Sequence, residues 1–101
     1  LAPCRVEVKI WLDDLRPAPA GFLWCHSVNE AKKVIAESET SQTIELIDCD
    51  HDLGDYASDG GDGIKLLDWL LKRGTLYPIA LHTMNPVGRE NMRRMLQRYW
   101  K

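Results

Sequence analysis

Three short stretches hold the side chains able to do chemistry: the pair Asp13-Asp14, the triplet Asp50-His51-Asp52, and His82-Thr83 with Asn85 two positions on. Carboxylates gathered in one crevice repel one another, and some would take up protons unless a counter-charge were present. A hard divalent cation with oxygen ligands removes that conflict, and Mg²⁺ is the natural candidate because it keeps several waters and commonly binds phosphate as well. A helix amino terminus beside the ion adds backbone donors for phosphate oxygens. The chemistry expected of these residues is therefore the handling of a phosphate group at a magnesium-type centre. Arg16 follows the first acid pair, and either pairs with Asp13 or Asp14 or reaches a substrate phosphate.

Each stretch follows an apolar run. Arg5–Leu12 alternates β-branched and polar residues and stops at Asp13, which predicts a first strand. After the stiff loop Arg16–Gly21, Phe22–Cys25 is a second short strand. Ser27 and Glu30 are spaced as a capping box ahead of Val28, Ala31, Val34 and Ile35, so a helix starts there and fades in the polar stretch Glu37–Gln42. Thr43–Cys49 is a nearly continuous apolar strand closed by Asp50, the pattern of a parallel strand covered on both faces. Residues 54–63 read as a flexible glycine-rich loop, Ile64–Arg73 as a helix ending at Gly74, and Tyr77–Leu81 as a fourth strand. Asn85-Pro86 opens a last helix, with Asn as cap and Pro in the first turn. Strands alternating with helices imply an α/β fold with a mostly parallel four-stranded sheet of order 2-1-3-4 and about three helices, a truncated doubly wound, three-layer arrangement. Such sheets bind ligands outside the carboxyl ends of their strands at the switch point. Here that point lies between strands 1 and 3, where the three stretches converge.

The chain of 101 residues fits one domain spanning 1–101. A hydrophobic fraction of 45% and a charged fraction of 28% argue for a packed globule rather than disorder. A net charge of −2 gives no general attraction to nucleic acid or anionic membrane. No apolar run approaches the roughly 20 residues that span a bilayer. Cys4, Cys25 and Cys49 are odd in number and form no CxxC pair; they read as thiols of a reducing, cytoplasmic compartment, the latter two inside apolar runs.

Each feature also has a plainer reading. Acids at strand ends serve as loop solvation and caps, and a histidine beside a strand end is often a hydrogen-bonded structural group. Asp48 reads as a buried, satisfied acid. Asp55, Asp59 and Asp62 read as solvated turn residues, with a mobile lid as the alternative. Arg89, Arg93, Arg94 and Arg98 make a basic helix surface, either solvated or in contact with RNA or a nucleotide. Tyr99 and Trp100 suit core packing more readily than a dimer contact. The His51-Asp52 pair matches the metal motif of all-helical HD phosphohydrolases, but it follows a β-run.

The segments WLDDLRPAP, DHDLGD and LHTMNPVGRENM together resemble the cyclic-phosphate processing receiver-like family, a divergent relative of response-regulator receiver domains. The resemblance runs from Ile10 to about Leu96. It implies that Asp13 and Asp14 correspond to a receiver's acidic metal pair, Asp50 to its phosphoacceptor and Thr83 to the hydroxyl residue ending strand 4. Asp52 falls where a receiver presents a metal-coordinating carbonyl, while His51, His82, Asn85 and Arg89 match features of the divergent family. Two departures stand out. The chain has no fifth strand with its phosphoryl-contacting lysine, the sole lysine after strand 4 being Lys101, and the Arg16–Gly21 loop replaces a helix. On this resemblance the expected activity is that of a Mg²⁺-assisted phosphoesterase acting on cyclic phosphates of nucleotides or RNA ends. Asp13, Asp14 and Asp52 would hold the metal, and Asp50 would attack phosphorus or activate water. His51 or His82 would be the general acid/base, with Thr83, Asn85, Arg16 and Arg89 on the phosphate. The alternatives are a signalling module phosphorylated on Asp50 and a domain that only binds a phosphorylated ligand; the oligomeric state stays open.

Overall fold

The computed structural model describes residues 6–100. The start of the first strand at Arg5, together with Cys4 and Lys101, lies outside the described residues. The elements are β1 (Val6–Leu12), β2 (Phe22–Cys25), α1 (Val28–Ser38), β3 (Gln42–Cys49), a short 3-10 turn (Gly54–Ser58), α2 (Ile64–Arg73), β4 (Ile79–Leu81) and α3 (Pro86–Tyr99). All strand pairs are parallel and the sheet order is β2-β1-β3-β4, as the β/α alternation predicts.

Local chemistry explains the boundaries. Ser27 caps α1 by accepting from the Glu30 N–H at 3.1 Å, and Glu30 reaches back to the His26 N–H at 2.9 Å, one residue earlier than a standard capping box. α2 stops at Gly74, whose φ of 75° needs no Cβ and whose N–H closes onto Leu70 and Leu71 carbonyls. β4 is shorter than the expected Tyr77–Leu81: Pro78 has no N–H to give, and only its carbonyl joins the ladder, accepting from Ile47 at 2.9 Å. β3 carries one extra residue near Glu45, where the register with β1 shifts after Val8. That bulge leaves Glu45 exposed and lets Ile44, Ile47 and Cys49 all turn inward.

The core is one cluster. Val8, Ile10, Leu12, Ile44, Ile47 and Cys49 line one sheet face beneath α1. Leu66, Leu67 and Leu70 of α2 are fully buried and Met92 anchors α3, each such side chain contributing about 2 kcal/mol of transfer free energy. The layering differs from the doubly wound expectation. α2 packs beside α1 and α3 beside α2, so the three helices share a face. Right-handed crossovers that advance in one direction across a sheet, β2 to β3 and β3 to β4, put α1 and α2 on one face, and Met92 joins α3 to the same core cluster. On the other face, Lys9, Trp11, Phe22, Trp24, Leu46 and Asp48 are only partly buried. Replacing the helix after β1 by a loop leaves that face to an aromatic and polar layer.

Candidate phosphate and metal site

The strand ends are level. Leu12 is in register with both Cys25 and Cys49, and Cys49 with Leu81. The ladder continues one residue further: Asp13 N–H donates to Cys25, Asp50 N–H to Leu12 and His82 N–H to Cys49, at 3.0, 2.9 and 3.1 Å. Asp13, Asp50 and His82 therefore arrive side by side at one rim, the convergence expected from the sequence. One ligand atom from each lies within 4.8 Å of the other two. Beside them opens a cleft of about 350 Å³ walled by Asp13, Asp14, Asp50 and Asp52, with Arg16, Thr83 and Asn85. Leu15, Gly54 and Met84 complete the wall. Sequence reasoning did not single these three out; their only signal was adjacency to the acids.

The acids differ in what they have left to offer. Asp13 is 1% exposed and committed. Its Oδ1 accepts the Leu15 and Arg16 N–H groups at 2.9 Å each, and its Oδ2 accepts from His82 Nε2 at 2.9 Å. Burial pushes its pKa up, but these hydrogen bonds and the His82 ring outweigh it, and the carboxyl is held below its ordinary value. Asp50 is 8% exposed and goes the other way. Burial raises its pKa more than the bonds from the Thr83 hydroxyl and the His51 N–H lower it, and the Asp13 charge adds to the rise. Asp14 lines the cleft with no hydrogen-bond or ion-pair partner among the described residues. Asp52 is held below its ordinary value by bonds from His51 Nδ1 at 2.8 Å and Asn85 Nδ2 at 3.0 and 3.2 Å.

The expected phosphate donors are largely engaged within the protein. The Asn85 side-chain oxygen caps Val87 and Gly88 N–H, both at 3.0 Å, and its carbonyl takes Arg89 N–H at 2.9 Å. The amino terminus of α3 therefore presents no open cradle. Thr83 accepts from Asn85 N–H at 3.1 Å while bonding Asp50. Arg16 sits 3.9 Å from Asp13 and gives Nη1 to the His82 carbonyl at 3.2 Å. Both of its expected roles meet here, since it also borders the cleft. Arg89 is exposed on α3 and does not border the cleft. Arg93 and Arg94 pair with Glu90 at 2.6 and 3.2 Å, a solvated charged face.

The histidines are placed differently. His51 packs over the first turn of α3, so close that a Cβ on Gly88 would fall 2.4 Å from its ring. His82 lies between two carboxylates, with Nδ1 2.6 Å from Asp48 and Nε2 on Asp13, and stacks on Trp11 at 3.8 Å. Asp48 is thus satisfied, as expected, but by a site residue. Trp11 carried no chemical signal in the sequence.

The 54–63 segment is not a free loop. Asp59 accepts from the Ser27 hydroxyl at 2.6 Å and Asn29 Nδ2 at 3.0 Å, and Asp62 accepts Leu53 N–H at 3.2 Å. Asp59 is exposed, as expected of a turn residue, yet both acids also tie the segment down. Cys25 and Cys49 are buried free thiols, and burial pushes Cys25 up to about 12. Trp100 donates to the Tyr77 carbonyl at 2.7 Å and packs on the core. No helix is long and apolar enough to cross a membrane among the described residues.

Comparison of the whole chain with curated proteins and with solved structures finds no significant match. The family model of the cyclic-phosphate processing receiver domain matches residues 8–98, which include every residue of the rim and the cleft wall. With the parallel 2-1-3-4 sheet and the acids at its carboxyl edge, the chain belongs to the cyclic-phosphate processing receiver domain family.

Proposed function

We propose that this domain is a magnesium-assisted phosphoesterase that opens cyclic phosphates of nucleotides or RNA ends. The observation that carries the reading is the pairing, in one cleft, of an unpartnered carboxylate, Asp14, with a buried one, Asp50, whose pKa is raised. An acid cluster that folding leaves uncompensated fits a hard cation with oxygen ligands. Asp13, Asp14 and Asp52, which line the cleft together with Asp50, would supply its oxygens. A bound Mg²⁺ supplies charge stabilisation for the phosphate oxygens.

The chain's own residues then divide the work. Asp50, with its raised pKa, suits taking a proton from the attacking water. His51, its Nδ1 held by Asp52 at 2.8 Å and its Nε2 without a partner among the described residues, suits proton delivery to the leaving oxygen. Arg16, with Nη2 unengaged among the described residues, suits a phosphate oxygen. Water adds to phosphorus, one P–O ester bond breaks, and a phosphomonoester leaves.

Hydrolysis of adenosine 2′,3′-cyclic phosphate followed by ³¹P NMR tests the reading. Activity that needs Mg²⁺ and falls at least about 100-fold in Asp50→Asn is the expected result; equal rates in the variant would overturn it. The bond between Thr83 and Asp50 also suits a second reading, phosphorylation of Asp50 as a signal. Intact mass after incubation with acetyl phosphate and Mg²⁺ separates the two: a lasting adduct favours the switch.

A further inference from the structure

We infer that Asp48 and Trp11 are positioning residues that fix the His82 ring as a strut for Asp13, and that His82 is itself a positioning group rather than the general acid/base. This deepens the phosphoesterase reading and rests on it for its functional consequence.

Three contacts fix one small ring. Asp48 Oδ1 lies 2.6 Å from Nδ1, Asp13 Oδ2 lies 2.9 Å from Nε2, and the Trp11 indole lies flat beneath at 3.8 Å with planes 4° apart. A histidine side chain has two rotatable bonds, so two in-plane bonds and a stacking face over-determine its ring. Both His82 ring nitrogens already face protein carboxylates, whereas His51 has only its Nδ1 engaged among the described residues. Neither His82 nitrogen is free to reach a reacting phosphate, which leaves His51 for that role.

The sheet register builds the strut. Trp11 on β1 is in register with Asp48 on β3, and Asp48 with Ala80 on β4. The three project from the face without helices, two residues before Asp13, Asp50 and His82 respectively, since side chains of a strand alternate between faces. Ala80 is small enough to let the ring of His82 lie back across β3 onto Trp11. Trp11 is itself tied, donating Nε1 to the Arg16 carbonyl at 2.9 Å, while Arg16 Nη1 reaches the His82 carbonyl at 3.2 Å. The circuit closes on the Asp13–Arg16 loop. Asp13 shapes that loop through the Leu15 and Arg16 N–H groups, and Asp14 rides on it. A loosened His82 would release Asp13 Oδ2 and let Asp14 drift, although Asp48 and Trp11 do not border the cleft. Outer groups that orient ligands typically change metal affinity about 10–100-fold when removed.

The test uses ¹⁵N-labelled protein and Mg²⁺ alone as probe. In wild type the His82 Nε2–H signal is expected to exchange slowly with water. Asp48→Ala is expected to lose that protection and to weaken Mg²⁺ binding about tenfold, while Asp48→Asn, which still offers an oxygen to Nδ1, restores both. Trp11→Phe keeps the stacking face and the protection; Trp11→Ala loses it, a second route should Asp48→Ala fail to fold. Backbone amide spectra establish that each variant is folded. A wild-type His82 signal and wild-type Mg²⁺ affinity in Asp48→Ala would overturn the inference. Absence of Mg²⁺ binding by the wild-type protein would sink the metal reading instead, and the ring signal would still decide the strut.

Discussion

The two edges of the sheet treat charge in opposite ways. At the amino edge, Glu39 takes Arg73 at 2.7 Å and the Tyr77 hydroxyl, and Arg73 lies over the Trp69 ring at 4.3 Å. Every charge in that cluster has a partner, and although burial pushes the Glu39 carboxyl up, its two partners hold it below its ordinary value. At the carboxyl edge, Asp13, Asp14, Asp50 and Asp52 meet around one cleft with Arg16 as the single arginine or lysine in its wall. Asp14 has no partner there among the described residues, and Asp50 is pushed up. The amino edge is arranged for stability. The carboxyl edge keeps negative charge that folding does not require, and the proposed cation site rests on that surplus.

The largest effect expected from breaking this contrast is at two glycines. A Cβ on Gly63 would fall 1.9 Å from the Asp50 carbonyl, a backbone atom that cannot swing aside. Gly63→Ala is expected to cost on the order of 3 kcal/mol, lowering the melting temperature by roughly 15 °C. At the amino edge, a Cβ on Gly74 meets nothing within 4 Å. Gly74→Ala has only its left-handed backbone to strain, about 1–2 kcal/mol. Thermal unfolding of both variants checks the ranking, and an equal loss would mean the rim is no tighter than the opposite edge. The next effect is the ion's own. At about 100 times its dissociation constant, Mg²⁺ should raise stability by about 2.7 kcal/mol. Asp14→Asn should lose most of that gain and Glu39→Gln none, read from urea midpoints with and without the ion.

The fold and the rim were legible in the sequence for one reason: each strand ends on an acid or imidazole, and parallel strands place their carboxyl ends together. Asp13, Asp50 and His82 needed no further information. What periodicity could not show is how the donors are spent. Asn85 and Thr83 read as phosphate ligands because their chemistry allows it, yet Asn85 caps α3 and clasps Asp52, and Thr83 bonds Asp50. The His82 strut was illegible for a related reason. Its partners Trp11 and Asp48 belong to a register between strands 37 positions apart, and register is not written in either strand alone. The third layer failed because the direction of successive crossovers, and not the count of helices, decides which face each helix covers. The 54–63 segment read as flexible from its glycines, while Asp59 bonds residues some 30 positions away.

A smaller effect sharpens the comparison by sign. Glu39→Gln removes a charge-assisted bond and is expected to lose about 1–2 kcal/mol. Asp14→Asn, measured without divalent ions, removes a repelling charge and is expected to gain roughly 0.5 kcal/mol. A loss in both would mean that Asp14 makes a stabilising contact after all.

The smallest effect is the pH dependence of those differences, and it distinguishes the edges most directly. Glu39 is held below its ordinary 4.5. Its contribution is fully present above that value and is lost as pH falls through the lower folded value. Asp50 is raised above its ordinary 3.8, so the folded chain keeps a proton that the unfolded chain has released. Its contribution is fully present below 3.8 and is lost as pH rises through the higher folded value. The destabilisation by Glu39→Gln should therefore fade on acidification. Asp50→Asn, which keeps an oxygen for Thr83 and the His51 N–H, should be more stable than wild type near neutrality and lose that advantage in acid. Urea midpoints across the acidic range, with chelator present, read both curves. Difference curves bending the same way would show that Asp50 is stabilised as an anion, and the cleft would then hold no surplus of charge for a ligand to relieve.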